Sequence, residues 1–215
     1  EPQPTRPLDG CVARTPPTIP RTCQDSLRQL IEISDDEDEL AGESRHAIAE
    51  LFSPPRLTQL ACNHGLQPGL SFDLEQGVDL SDVNGRATVW AYLHAERPLC
   101  TVVSPPCTYF SSLMGMNNDK ARMDRDNQAL ANAESLLDFA MMVCKFQHDH
   151  GRLFLHEHPA GATSWKRESV TMLKDMPGVH MSTFDQCCYG LKSPFTGSPM
   201  KKRTTLLHNI ATVHE

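Results

Sequence analysis

A chain of 215 residues, 39% of them hydrophobic, has room for one ordinary domain plus a tail. Its net charge of −7 argues against binding a polyanion through the whole surface and leaves a local basic patch as the route to nucleic acid. No apolar run approaches a membrane span, so no membrane partner is expected.

Residues 1 to 45 read as a tail. Pro2, Pro4, Pro7, Pro16, Pro17 and Pro20 punctuate a stretch poor in large apolar side chains, which cannot bury enough surface to offset its ordering entropy. Leu30-Ile31-Glu32-Ile33, followed by Asp35-Asp36-Glu37-Asp38-Glu39, resembles a SUMO-interacting motif, which would add a strand to a partner's sheet edge and set its acids on a basic rim. An acidic solvated linker is the competing reading and stands slightly ahead. Eight cysteines (Cys11, Cys23, Cys62, Cys100, Cys107, Cys144, Cys187 and Cys188) lack any C-x-x-C pair. With no signal peptide, they place the chain in a reducing, intracellular compartment. A start at Glu1 rather than Met points to a fragment or a processed product.

From residue 46 to 215 the pattern is that of a folded domain. Ile48 to Ser53 reads as a strand, Thr58 to His64 as a helix ended by Gly65, and Leu70 to Leu74 as a second strand. Ala87 to Glu96 reads as a helix stopped near Pro98, and Leu99 to Val103 as a buried strand. Between Asn127 and His150 apolar residues recur at i, i+3, i+4 and i+7, the signature of an amphipathic helix, with Gly151 closing it. Leu153 to Glu157 reads as a strand and Ser169 to Lys174 as a short helix. Strands are also expected over Val179 to Phe184 and Thr204 to His208. Strands alternating with helices imply an α/β domain, a Rossmann-like three-layer sandwich with a mostly parallel sheet.

Four of the expected strand ends carry polar or reactive groups. The most informative is Ser104-Pro105-Pro106-Cys107, which follows the strand Leu99 to Val103. Two prolines forbid helix and end the strand abruptly, so a thiol is presented on a stiff loop at the strand's C-terminal end. In open α/β sheets that edge is where ligands bind, and Cys is the most nucleophilic side chain near neutral pH. The other ends are Leu51-Phe52-Ser53-Pro54-Pro55-Arg56, Phe72-Asp73 with Gly77-Val78-Asp79 beyond it, and His156-Glu157-His158-Pro159.

In this order the pieces resemble the C5-cytosine methyltransferase family. Glu50-Leu51-Phe52-Ser53 is similar to that family's Asp-Leu-Phe-Ser cofactor loop, Gly69 to Asp73 to the strand whose acid holds the ribose, and Gly77-Val78-Asp79 to the segment near the adenine. Ser104 to Ser111 resembles the Pro-Cys nucleophile loop, Phe154 to Pro159 the strand ending in Glu-Asn-Val, and Asp185 to Arg203 the Asp-Tyr-Gly-Val-Pro-Gln-Arg-Arg-Arg stretch. The resemblance spans roughly residues 48 to 209 and implies Cys107 and Glu157 as catalytic residues. It implies Phe52, Ser53, Asp73, Asp79, Ser104 and Pro105 around S-adenosylmethionine. For a DNA or RNA substrate it implies Thr108, Ser111, His158, Lys201 and Arg203, and it favours the nucleus over the cytoplasm. The implied chemistry is addition of the Cys107 thiolate to cytosine C6, with Glu157 supporting the charge at ring N3 and the activated C5 taking a methyl group. A base inside a duplex must first be flipped out.

Pro54-Pro55-Arg56 departs from the family's glycines, which let backbone approach the cofactor closely, and prolines remove N–H donors as well. His158 stands in place of the family's Asn, and the sequence after Arg203 is too short for the family's target-recognition region. Segments of this style are similar to those carried in retroelement-type polyproteins. A catalytically inactive module of the same fold is therefore the alternative. An amino-methyltransferase ranks third, because Cys107 stands where that class has a stacking aromatic. A thiol hydrolase using His156 or His158 as base ranks fourth. Those two histidines share a strand face, but no third ligand at metal spacing accompanies them, so no metal is expected. Trp165 is expected to pack rather than to stack on a base.

Overall fold

The computed structural model describes residues 46–111 and 120–213, with side chains described from 127 onward in the second stretch. The tail, its SUMO-like motif and residues 112–119 lie outside the described residues. The elements in chain order are β1 (Ile48–Leu51), α1 (Leu57–Asn63), β2 (Pro68–Phe72), α2 (Val83–Glu96), β3 (Cys100–Val103), α3 (Lys120–Asp149), β4 (Leu153–Pro159), α4 (Glu168–Lys174), β5 (His180–Asp185) and β6 (Arg203–His208). The strands form one six-stranded sheet in the order β2-β1-β3-β4-β6-β5. The first four are parallel, and β6 runs antiparallel to both neighbours.

Register sets the faces. Leu51, Val103, His156 and Leu207 form one row across four strands, and Ala49, Thr101 and Phe154 form a parallel row. Side chains alternate across a sheet, so both rows face the same way. Their apolar members join one core with Val89 and Leu93 of α2, Leu137, Ala140 and Val143 of α3, and Val170 and Leu173 of α4. Each fully buried large side chain there contributes about 1.5–3 kcal/mol. Glu50 points the other way and accepts hydrogen bonds from the start of α1, which packs on β1 and β2.

Two differences from the sequence reading have local causes. β1 ends at Leu51 rather than Ser53 because Phe52 adopts φ 60°, a left-handed conformation that a strand cannot continue through. α2 begins at Val83, four residues earlier than its apolar pattern, because Asp82 caps it by accepting from Asn84 N at 3.1 Å.

The connections locate the site. The chain leaves β1 through α1 to reach β2 on one side, then returns through α2 to β3 on the other side of β1. The loops after β1 and β3 thus part in opposite directions, leaving a crevice at the C-terminal ends of these strands.

Candidate active site

That crevice contains a recess of about 100 Å3 lined by Phe52, Asp73, Leu74, Val78, Asp79, Leu80, Ser81, Pro106 and Leu136. Its walls come from the segments that follow β1 and β3, from the connection between β2 and α2, and from α3. Three of the residues expected around a cofactor, Phe52, Asp73 and Asp79, line it. The other three, Ser53, Ser104 and Pro105, do not, and each is engaged elsewhere. Ser53 Oγ donates toward Glu50 and Pro54 O, Ser104 N donates to Leu51 O at 3.2 Å, and Pro105 is buried with its carbonyl facing His158. Pro106 is a wall residue that the sequence reading missed. A larger depression of about 590 Å3 is lined by Gln128, Ala129, Ala131, Asn132 and Ser135 of α3 alone. One helix face does not enclose a ligand, so that depression is no match for the crevice at the strand ends.

Both acids are held by their own loops. Asp73 caps the turn Leu74–Gln76 by accepting from Glu75 N at 2.9 Å. Asp79 accepts from the Ser81 hydroxyl at 2.7 Å and the Ser81 amide at 2.8 Å, and these bonds hold its carboxyl below its ordinary value. Phe52 packs edge-on against Phe139, so its unusual backbone is fixed by a ring buried partly in the core. A non-glycine residue in that conformation costs about 1–2 kcal/mol, and such strain persists only where the surroundings over-determine it, as at ligand sites.

The loop after β1 is braced by Glu50, which is 1% exposed. Its Oε2 accepts from Arg56 N (3.0 Å), Thr58 N (2.7 Å) and Thr58 Oγ1 (2.9 Å), and Oε1 accepts from Ser53 Oγ (3.3 Å). Pro54 and Pro55 have no amide N–H, and the amides of Arg56 and Thr58 that follow them are directed to Glu50.

Cys107 follows the recess wall by one residue and is half-buried. It precedes the turn Thr108–Phe110, where Phe110 N donates back to Cys107 O at 3.1 Å and the Phe110 ring, 2% exposed, anchors the loop. Two other thiols are poor nucleophiles: burial pushes Cys100 up to about 11 and raises the fully buried Cys144 well above its ordinary value.

Alternation along β4 separates its three polar residues. His156 and His158 are buried on the α3 face, and Glu157 lies on the other face. It is His158 that reaches the cysteine loop, through Pro105 O at 3.0 Å, with Ser164 Oγ at 2.7 Å on its other nitrogen. His156 Nδ1 faces Val103 O at 3.3 Å, and its Nε2 is buried without a hydrogen-bond partner. Burial above all pushes His156 down to about 3 and His158 to about 4, so both rings are neutral at physiological pH. Trp165 packs against both rings and donates to Pro159 O at 2.8 Å. Glu157 sits 3.9 Å from Lys202 Nζ, and its Oε1 is shielded from solvent without a hydrogen-bond partner.

Of the residues expected at a nucleic-acid substrate, Lys201 pairs with Asp185 at 3.6 Å, and Arg203 is exposed at the start of β6. Thr108 and Ser111 are exposed on the cysteine loop. Among the described residues, no group of three His, Cys, Asp or Glu side chains converges as a metal site requires. No helix among them is long and apolar enough to cross a membrane. Comparison with protein-family models and with curated proteins finds no match to this chain.

Proposed function

We propose that this chain is a methyltransferase-like protein of Rossmann-like three-layer build that acts on cytosine C5 in a nucleic acid through Cys107. The observation that carries the reading is the recess walled by Phe52, Asp73, Asp79 and Pro106, with Cys107 one residue beyond it. The lining suits a nucleoside: two carboxylates to accept from hydroxyl or amino groups, and Phe52, Val78, Leu80 and Leu136 to flank a flat ring. A recess of about 100 Å3 falls below the ~300 Å3 of ordinary ligand clefts, so it takes the nucleoside end of S-adenosylmethionine and not the whole molecule. When bound, that cofactor supplies an electrophilic methyl group.

Cys107 as thiolate adds to C6 of the base, and the ring electrons move toward N3. Glu157, whose Oε1 faces Lys202 Nζ at 3.9 Å and makes no hydrogen bond, takes the proton-sharing role at N3. Once C5 carries the methyl group and its proton leaves to solvent or a base, the C6–S bond breaks, C5=C6 re-forms and Cys107 departs as thiolate. Lys201 and Arg203 serve the phosphates.

One observation favours a second reading, a non-catalytic module of the same fold. Glu50 consumes the Arg56 and Thr58 amides, and Pro54 and Pro55 have none, so the loop after β1 has few donors for a methionine carboxylate. Calorimetric titration with S-adenosylmethionine, together with a 5-fluorocytosine oligonucleotide trap, decides between them. The catalytic reading expects binding heat and a covalent adduct mapped to Cys107. Neither heat nor adduct leaves the second reading.

A further inference from the structure

The segment between β5 and β6 is a preformed hairpin with no apparent debt to the core. Ser193 N donates to Ser198 O at 2.8 Å, Gly197 N to Ser193 O at 2.9 Å, and Met200 N to Leu191 O at 3.0 Å. Ser193 Oγ accepts from the amides of Phe195 and Thr196, both at 3.3 Å. Gly197 takes φ +68°, which closes the turn without Cβ strain. The turn is thus fixed by its own backbone and hydroxyls, yet its tip carries Phe195, 95% exposed. Tyr189, at the hairpin's base, is 79% exposed, with its ring edge-on to Phe184 at 5.1 Å.

Around these rings the chain reverses its overall sign. Lys192, Lys201, Lys202 and Arg203 cluster on one short stretch of a protein whose net charge is −7. Asp185 and Glu157 answer Lys201 and Lys202, at 3.6 and 3.9 Å, and no ion pair joins Lys192 or Arg203 to a carboxylate among the described residues. The antiparallel pairing sets Thr204 beside Pro159 and Arg203 beside Asp185, so the hairpin hangs from the same sheet edge as the loop carrying Cys107.

We propose that this hairpin is the docking surface for single-stranded nucleic acid, with Phe195 and Tyr189 as stacking platforms for unpaired bases and the four cations tracking the phosphates. Unpaired bases offer π-faces that a duplex hides, which is what an exposed ring on a rigid turn can use. The cations supply the salt-dependent share of affinity. The inference deepens the proposed function, resting on it for the polymer class, and names the strandedness of that polymer.

The test is fluorescence anisotropy of the full chain, without methyl donor, against labelled single-stranded DNA and RNA of about 20 nucleotides and the matching DNA duplex, a length that spans one such site. Because no methyl donor is present, failure of the methyl-transfer reading leaves this measurement unaffected. Single strands are expected to bind more tightly than duplex. Phe195→Ala should weaken single-strand binding about tenfold, in line with the loss of one stacked base. Lys192→Ala should lower the salt slope by about 0.7. Both side chains are on the surface, and an unchanged thermal transition checks that each variant is folded. DNA and RNA arms distinguish the two polymers. Equal affinity for duplex, indifference to Phe195→Ala, or no binding to any of the three probes overturns the proposal, the last outcome leaving the tip as a protein contact.

Discussion

His158 holds Pro105. Its Nε2 lies 3.0 Å from the Pro105 carbonyl, and its Nδ1 lies 2.7 Å from Ser164 Oγ. A carbonyl oxygen only accepts, so Nε2 carries the proton and Nδ1 accepts from the Ser164 hydroxyl. The neutral tautomer is fixed at both ends, and the loop that presents Cys107 is tied to β4 through a prolyl carbonyl two residues away.

Removing this tie should loosen Cys107. His158→Ala deletes a 1% exposed ring that packs at a tilt against Phe110 and strands a buried serine hydroxyl, for a loss of about 3 kcal/mol in urea unfolding. Mass-mapped alkylation under native conditions should show Cys107 reacting several-fold faster, while Cys62 and Cys188, far along the chain, keep their rates. A Cys107 rate equal to the wild type's would mean that the ring packs the core without restraining the loop.

Acid should unfold the protein through the same pair. In the unfolded chain both imidazoles titrate near 6.5, whereas in the fold burial holds His156 at about 3 and His158 at about 4. Lowered folded values mean that the unfolded state takes up the protons. The stabilisation is complete above about pH 6.5 and is lost as pH falls toward 4, at about 1.4 kcal/mol per pH unit for each ring. His156→Leu removes one of the two, and its unpartnered Nε2 makes the change cheap at neutral pH, about 1 kcal/mol or less. Urea unfolding between about pH 7 and 4.5 should show the His-linked slope cut by about half in this variant. An unchanged slope would assign the acid sensitivity to carboxylates instead.

The elements most legible in the sequence were those with a strong period or hard punctuation. Val102 and Val103 before Ser104-Pro105-Pro106 announce β3 and its stop, and the Leu136, Leu137, Phe139, Ala140, Val143, Cys144 spacing announces α3. The recess was legible through Phe52, Asp73 and Asp79, since strand ends collect ligand groups in such sheets. What stayed hidden is tertiary. Nothing local says that β6 inserts antiparallel between β4 and β5, because Thr204 to His208 has the same β pattern in either direction. Nor does His156-Glu157-His158 reveal that the histidine, not the acid, reaches Pro105. That follows only once β4's buried face is known.

Glu50 should prove important to the fold through the loop that follows β1. Its Oε2 gathers two amides and a hydroxyl at the start of α1, where unpaired N–H groups and the helix dipole favour an anion. Glu50→Gln keeps a carbonyl oxygen for those three donors, and Ser53 can rotate to accept from the new amide, so the cost should be about 1 kcal/mol. Glu50→Ala leaves buried donors unpaired at 1% exposure and should cost about 3–4 kcal/mol. Equal losses for the two substitutions in urea unfolding would show that the side chain's packing, rather than its acceptors, holds the loop.

Gly85 tests the link between α2 and the recess. Replacing an exposed helical glycine by alanine ordinarily gains about 1 kcal/mol. Here a Cβ at position 85 would overlap the carbonyl oxygen of Asp79, a backbone atom that cannot swing aside as a side chain would. The sign should therefore reverse: Gly85→Ala should lose about 1–3 kcal/mol, with the helix start and the Asp79 segment pushed apart. Because Asp79 and its neighbours Val78, Leu80 and Ser81 form one wall of the recess, the proposed binding of S-adenosylmethionine there should weaken in calorimetry. Gly161, where an added Cβ meets open space, is the control, and Gly161→Ala should leave both readouts as they are. A Gly85→Ala protein that is destabilised yet binds S-adenosylmethionine with wild-type affinity would count against this recess as the proposed binding place.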